Sequence, residues 1–431
     1  MIFSAIGFQK INWKAFKTSL FVKEFMLFVT SNIVHRGSQF VVSIVAAYIL
    51  GPATYGLWNM LNLILLYSSF IHLGVINAMN RDVPLFKGKG NLQKVEKIRK
   101  VCMGFMCIAT LVVSAVMVVV ALFIENLSIR FSLLLMVLLF LCNQLYNYLE
   151  VYLKSDRRFK QMSYQQFMFA VIFPVIVIPL VVAYGLSGFI LGQSIATLAI
   201  SFFIIKAIPF NFRPKFDAQE TIRLIKVGFP IMAVGLLYDL LRTIDRWVIA
   251  TFLGIEELGY YSLAIMVMGS LTMIPMIIAQ QIYPRMAETF GRTLSYSALK
   301  KWIFRQAIMG ISVTVPLMIG VYFIFPFIVE RFLPAYMPGI MAMKIILIGV
   351  LFLPLAGAFG NFLNIVDKQI YYMAVQGFAV LVNLGLNISF VKMGLGINGV
   401  ALGTAITYVI YSFILLIIGI KILCLPLNRA M

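Results

Sequence analysis

Acidic residues are scarce in this chain. Of its 431 residues only 15 are Asp or Glu, against 35 Lys or Arg, and 12% are charged. Soluble domains carry about 25% charged residues, so this chain cannot cover itself in water. Histidine occurs twice, at His35 and His72, and cysteine four times. Two histidines and no CxxC pair exclude the usual ligand spacings of transition-metal sites. Cys102, Cys107, Cys142 and Cys424 lie in or beside apolar runs, where thiols act as small hydrophobic residues. The chain also lacks a nucleotide-binding loop and any nucleophile–base arrangement. No polar stretch between apolar runs exceeds about 20 residues, which leaves no soluble catalytic domain on either side. Neither a metal nor an organic cofactor is expected.

What remains is apolar. Hydrophobic residues make up 62% and the mean hydropathy is +0.99, values that fit a multi-spanning membrane protein. Twelve apolar segments are each long enough to cross about 30 Å of hydrocarbon. Their limits are 25–50, 56–80, 101–124, 131–153, 162–184, 189–209, 227–252, 259–283, 303–328, 340–364, 369–392 and 398–422. The first residues, MIFSAIGF, are too short for a signal peptide. Lys10, Lys14, Lys17 and Lys23 stand among aromatic residues just after them, which predicts an interfacial segment over 1–24 on the cytoplasmic side.

The cations sort by side. With the N-terminus inside, 28 of the 35 Lys and Arg fall in cytoplasmic stretches, and only Arg130 and Arg331 fall outside. That bias predicts a multi-pass membrane protein with both termini cytoplasmic. It also accounts for the formal charge of +20 without nucleic acid as a partner. The other five cations are Arg36, Arg242, Arg246, Lys344 and Lys392, all inside spans. Lys344 and Lys392 lie near span ends, where their heads snorkel to water.

The two halves echo one another. LGPATYGLWNM at 50–60 matches LGIEELGYYSL at 253–263 with an offset of 203, pairing Gly51 with Gly254 and Gly56 with Gly259. SDRRFKQMSYQ at 155–165 lies over VDKQIYYMAVQ at 366–376 with an offset of 211, which holds again for GFILG at 188 over GVALG at 399. The expected architecture is therefore all-α, with an N-terminal six-helix bundle over 25–210, a cytoplasmic linker over 211–226 and a second bundle over 227–431. Six spans per half keep both halves in the same orientation, related by a pseudo-twofold along the membrane normal.

Polar residues inside the spans then need partners. A charge at the bilayer centre costs about 2.5–3.5 kcal/mol even on lenient scales. Asn32, Arg36, Gln39 and Ser43 share a helical stripe about 60° wide, with His35 at its flank. In YDLLRTIDRW, Asp239, Arg242 and Arg246 share a similar arc, with Asp245 beside Arg242. The offset of 203 places Asp239 over Arg36 and Arg242 over Gln39. Asn143, Gln144 and Asn147 form a weaker stripe, as do Gln376, Asn383 and Asn387. Arg81 closes the second span, where it either meets an incoming anion or simply follows the positive-inside rule. The stripes predict a cationic cavity between two bundles; the alternative is a self-neutralising Asp–Arg ladder that locks helices together.

The LGPATYGLW turn, GLLYDLLRTIDRWVIATFLGIEELGYYSLA, YPRMAE at 283–288 and the GLGINGVALGTAI turn resemble one family over essentially the whole chain. It is the polysaccharide-transport branch, the Wzx-type flippases, of the multidrug/oligosaccharidyl-lipid/polysaccharide exporter superfamily. The resemblance implies two six-helix bundles around a cavity and transfer of an undecaprenyl-diphosphate-linked oligosaccharide to the outer leaflet. In that setting Arg36, Arg242 and Arg246 would hold the diphosphate, with Arg81 on the approach. Asn32, Gln39, Asn383 and Asn387 would bind sugar hydroxyls. Asp239, Asp245 and His35 would pair charges or couple H⁺ or Na⁺. Membrane lipids, a polysaccharide polymerase and a chain-length regulator are the implied partners. The lipid II flippases of the superfamily have fourteen spans, against twelve expected here. A cation-coupled multidrug exporter is the nearest rival, and a membrane-embedded glycan polymerase or ligase a more distant one.

Overall fold

The computed structural model describes residues 20–208 and 213–424, with side chains from Met26 onward. Residues 1–19 of the expected interfacial segment and residues 211–212 of the expected linker lie outside the described residues. The helices in chain order are α1 (Leu20–Ser68), α2 (Val75–Gly88), α3 (Leu92–Leu122), α4 (Leu127–Ser155), α5 (Phe159–Ala207) and α6 (Ala218–Phe252). They continue with α7 (Ile255–Thr293), α8 (Tyr296–Phe332), α9 (Ile340–Val350), α10 (Leu353–Ile365), α11 (Gln369–Lys392) and α12 (Gly396–Leu423). Among the described residues, ten helical stretches are long and apolar enough to cross a membrane. Side-chain oxygens start several of them, satisfying amides that have no partner in the first turn. Asn91 accepts from the Lys94 amide at 3.0 Å, and Asn126 from Ser128 and Ile129 at 3.0 and 3.1 Å.

The step from twelve expected segments to ten stretches has a local cause. Helices α1 and α5 each run 49 residues, about 74 Å at 1.5 Å per residue, far more than one bilayer. Each contains one glycine with non-helical backbone, Gly51 (φ 70°, ψ 170°) and Gly185 (φ 57°, ψ −133°). A Cβ built on Gly188 would come within 1.8 Å of the Leu180 carbonyl oxygen, and one on Gly192 within 3.0 Å of the Val177 Cα. In a straight helix these pairs would stand about 12 and 22 Å apart. Helix α5 therefore doubles back at Gly185. In α1 the Tyr55 side chain meets Ser43, twelve residues earlier, so that helix doubles back at Gly51.

The internal repeat is visible in the backbone. Gly254 (φ 104°, ψ 172°) has nearly the conformation of its counterpart Gly51, one that residues with a side chain rarely adopt. The two turns also touch. A Cβ on Gly56 would lie 1.9 Å from the Ile255 oxygen, and one on Gly259 would lie 1.9 Å from the Pro52 oxygen. Pro52 and Ile255 are themselves equivalent under the offset of 203, so the contact is reciprocal, as around a twofold axis. The second match sits one residue from where the sequence placed it. Arg157 and Asp367 share a positive φ of 57° and 55°, and the Arg158 and Lys368 amides close the same turn onto Leu153 and Leu363. The offset there is 210 rather than 211. The extra residue enters at the next turn, which has Gly185 in one half and both Gly394 and Gly396 in the other.

A strap fixes the start of α6 against α2 and α3. The Arg223 guanidinium bridges Asp82 and Glu220, each at 2.7 Å, while Lys94 reaches Glu220 and Lys97 reaches Asp217, both at 2.7 Å. The Lys215 amide donates to the Lys100 carbonyl at 3.0 Å. The Lys97 ammonium, then the Glu220 amide, hold the Asp217 carboxyl below the usual carboxylate range, so this pair stays charged at neutral pH. One helical turn further in, Gly74 and Gly228 meet backbone to backbone.

The close crossing makes a prediction. Gly56→Ala and Gly259→Ala should each lower the thermal midpoint of detergent-purified protein through overpacking worth about 1–3 kcal/mol. Gly269→Ala meets open space and should leave the midpoint unchanged or raise it. Equal midpoints for all three would remove the crossing as a structural element.

Candidate functional site

Three helices that are distant in sequence enclose a cavity of about 610 Å³. The first arm of α1 supplies Arg36, and the second arm with the following turn supplies Asn62, Leu65, Leu66 and Ser69. Helix α4 adds Phe140, Asn143, Gln144, Tyr146, Asn147 and Glu150, and α6 adds Asp239, Arg242, Thr243 and Arg246. Each set recurs every three or four residues, so each is one face of a helix. The lining holds three guanidinium groups against two carboxylates, and the cavity is cationic.

The guanidinium groups are not consumed by the protein. Among the described residues, Arg36, Asp239, Arg242 and Arg246 make no ion pair within 4.0 Å. The Nε atoms of Arg242 and Arg246 are buried without a hydrogen-bond partner. Arg242 lies over the Tyr238 ring, 5.5 Å from its centroid, an attraction that orients the cation without saturating its donors. Thr243 bonds the Tyr67 hydroxyl and the Asp239 carbonyl, tying α6 to the second arm of α1. The side-chain ladder that formed the alternative reading is thus not made. Five N–H donors per guanidinium in a planar fork suit phosphate oxygens, which accept in pairs.

The structure divides the residues expected at the site. Arg36, Arg242, Arg246 and Asp239 meet in the cavity, as do Asn143, Gln144 and Asn147 of the weaker stripe. Asp245 does not join them: it is 1% exposed, accepting from the Tyr261 hydroxyl and the Arg246 amide at 2.8 Å each. Asn383 and Asn387 are fully buried, where Asn383 donates to the Leu241 carbonyl and both contact Thr404. They fasten α11 to α6 and α12 and stand outside the cavity lining. Asn32 turns its amide onto the Phe28 carbonyl of its own helix at 2.8 Å. Gln39 and Arg81 lie outside the cavity lining, and His35 stacks on Phe169 with ring centroids 4.5 Å apart. Beside the stripe, on another face of α1, Ser31 bonds Gln166 and Ser38 bonds the Ala170 carbonyl, both at 2.7 Å, which fastens α1 to α5.

Glu150, Asn62 and Tyr146 escaped the sequence reading. Glu150 had a signal: it continues the spacing of Asn143 and Asn147 and is one of only 15 acids. Asn62 had none, because a single amide in LNLILLYSS shows no direction until α1 has doubled back.

Comparison with known proteins adds the following. A family model described as polysaccharide biosynthesis protein matches residues 21–290. No curated protein is a significant sequence match. The fold resembles the lipid II flippase MurJ in an inward closed conformation at a TM-score of 0.72, with 15% identity over 94% of this chain and 89% of that one. A MATE in complex with MaL6 superimposes at 0.69, with 12% identity over 93% and 96%. A transporter of the MOP superfamily from Pyrococcus furiosus, described as having reversed binding-pocket polarity, gives 0.68, with 12% identity over 93% and 95%. At such identities the likeness is one of fold alone.

Thiol labelling tests the cavity. In a variant without the four native cysteines, Asn62→Cys and Asn147→Cys should react with a small water-soluble thiol reagent in opened membranes, and Asn383→Cys should not. Labelling of Asn383→Cys with protection of the other two would invert the assignment.

Proposed function

The chain belongs to the polysaccharide biosynthesis protein family, and on that premise we propose that it is a flippase for a polyprenyl-diphosphate-linked oligosaccharide. The reading makes it a transporter, not an enzyme. The observation that carries it is the set of three guanidinium groups, from α1 and α6, turned into one cavity without ion-pair partners. A diphosphate supplies the acceptors those groups lack, in a site whose low dielectric strengthens each bond. Counting the arms of α1 and α5 separately gives twelve passes, six before the α5–α6 connection and six after it. The reciprocal glycine contact then lies on the axis between two bundles, with boundaries near 25–210 and 227–431. Rocking of the bundles about that axis would expose the cavity to each leaflet in turn.

The positive-inside bias puts both termini in the cytoplasm of a bacterium, and a polymerase and a chain-length regulator are the partners that would receive the product. Glu150, from α4, and Asp239, one turn before Arg242 on α6, line the same cavity as the arginines. They are the groups placed to receive the guanidinium charge, or a coupling cation, once the ligand has left. The same two carboxylates support a second reading, cation-coupled export of a small organic cation, but the surplus of guanidinium groups opposes it.

Arg36→Ala should reduce surface glycan by about 10- to 100-fold, the cost of a lost charge-assisted pair, while the protein still reaches the membrane. Arg36→Lys should restore part of it, because an ammonium carries the charge without the fork. Surface glycan measured by gel and membrane content by immunoblot decide this. Normal glycan in Arg36→Ala would end the diphosphate reading, and raised sensitivity to cationic dyes on deletion would favour the second one.

A further inference from the structure

A second chamber lies on the other side of Tyr238. Its main part is about 400 Å³, and a recess of about 70 Å³ shares Tyr238, Met276, Ala279, Leu353 and Gly357 with it. Its walls come from α6 through α12, and no charged side chain lines either part. The polar groups are instead amides and hydroxyls: Gln280, Tyr283, Asn361, Tyr372 and Tyr411, with Gln306 in the recess. The Asn361 amide donates to the Gln306 carbonyl oxygen at 3.3 Å, leaving the rest of both amides free. Tyr411 is 1% exposed. It lies within reach of Tyr372 and Gln376, so phenols and amides form one neutral polar cluster at the chamber wall. Such groups both donate and accept, which suits an uncharged ligand rich in hydroxyls.

We propose that this neutral chamber is a sugar subsite, taking the first uncharged sugars of a headgroup whose diphosphate sits among Arg36, Arg242 and Arg246. The proposal rests on the flippase reading above. Tyr238 is the partition: one side of its ring carries Arg242, while the residue also lines both parts of the chamber. Arg242 lines the cationic cavity and stacks over Tyr238, which lines the neutral chamber, so the two sites adjoin. Hydroxyl-rich, uncharged ligands match amides and phenols that both donate and accept, and aromatic rings match their C–H faces. A charged ligand would find no counter-ion here, and an alkyl chain would strand the amides. By contrast, the crevice between α3 and α4, lined by Met103, Met106, Leu111, Leu141 and Leu145, has the apolar walls an acyl chain would choose.

The test is binding to full-length protein in nanodiscs, read by native mass spectrometry. The probes are undecaprenyl diphosphate alone and the same lipid carrying one glucose, galactose or N-acetylhexosamine. Wild type should bind at least one sugar-bearing probe on the order of 10-fold more tightly than the bare lipid. Tyr411→Phe and Asn361→Leu should abolish that preference without changing the affinity for the bare lipid. Thermal midpoints of both variants, measured alongside, separate a loss of binding from a loss of folding. Arg36→Ala should weaken all probes alike. Equal binding of bare and sugar-bearing lipid by wild type, or a preference that survives both chamber substitutions, would overturn the subsite and leave the flippase reading intact. Failure of wild type to bind any probe would overturn both.

Discussion

A guanidinium group cannot be left in hydrocarbon, and most of this structure follows from that. Arg36, Arg242 and Arg246 each need water, a counter-ion or a ligand, and their own helices offer none of these in bonding geometry. The cavity exists because α1, α4 and α6 turn their polar faces toward one another and their apolar faces outward. Amide and hydroxyl side chains complete the lining, so the cations rest in a polar shell while their donors stay available. An arginine already matched to a carboxylate would resist an incoming phosphate. In this structure Asp239 stands more than 4.0 Å from the charged groups of Arg242 and Arg246.

Holding such a cavity open requires that its walls be fastened elsewhere. At one end, Gly56 and Gly259 let two backbones touch where any side chain would collide. Elsewhere, Gly74 and Gly228 repeat the device, and the Asp82–Arg223–Glu220–Lys94 network adds charge pairs beside it. The buried amides Asn383 and Asn387 do the same work on the far side of α6. Polar residues in this protein thus divide between two duties. Some, such as Asn383, find a partner on a neighbouring helix and fix its position, and others, such as Asn143 and Asn147, face the open volume.

The two chambers differ in kind as well as place. One is ionic and the other carries only neutral donors and acceptors, and Tyr238, which lines the second, lies under Arg242 of the first. A ligand with a charged end and a hydroxylated end would satisfy both at once. Neither chamber alone discriminates such a ligand from free phosphate or free sugar.

Much was legible from residue order alone. Composition and the sorting of cations dictate a helical membrane protein, because hydrocarbon tolerates no unpaired backbone and the leaflet potential no misplaced lysines. Periodicity placed Arg36, Asp239, Arg242 and Arg246 on inward faces, since helical geometry is local. The pairing of Gly51 with Gly254 likewise announced a shared backbone turn. Tertiary packing decided the rest. Asp245 and Arg242 look alike in YDLLRTIDRW, but a tyrosine on α7 claims the first and an open volume receives the second. Asn383 and Asn387 form as good a stripe as Asn143 and Asn147, yet one pair meets Thr404 and the other meets the cavity. A polar side chain in an apolar helix declares only that it needs a partner. Which partner it finds depends on the helix that packs against it, and that packing is a tertiary contact which the order of residues within one helix does not specify.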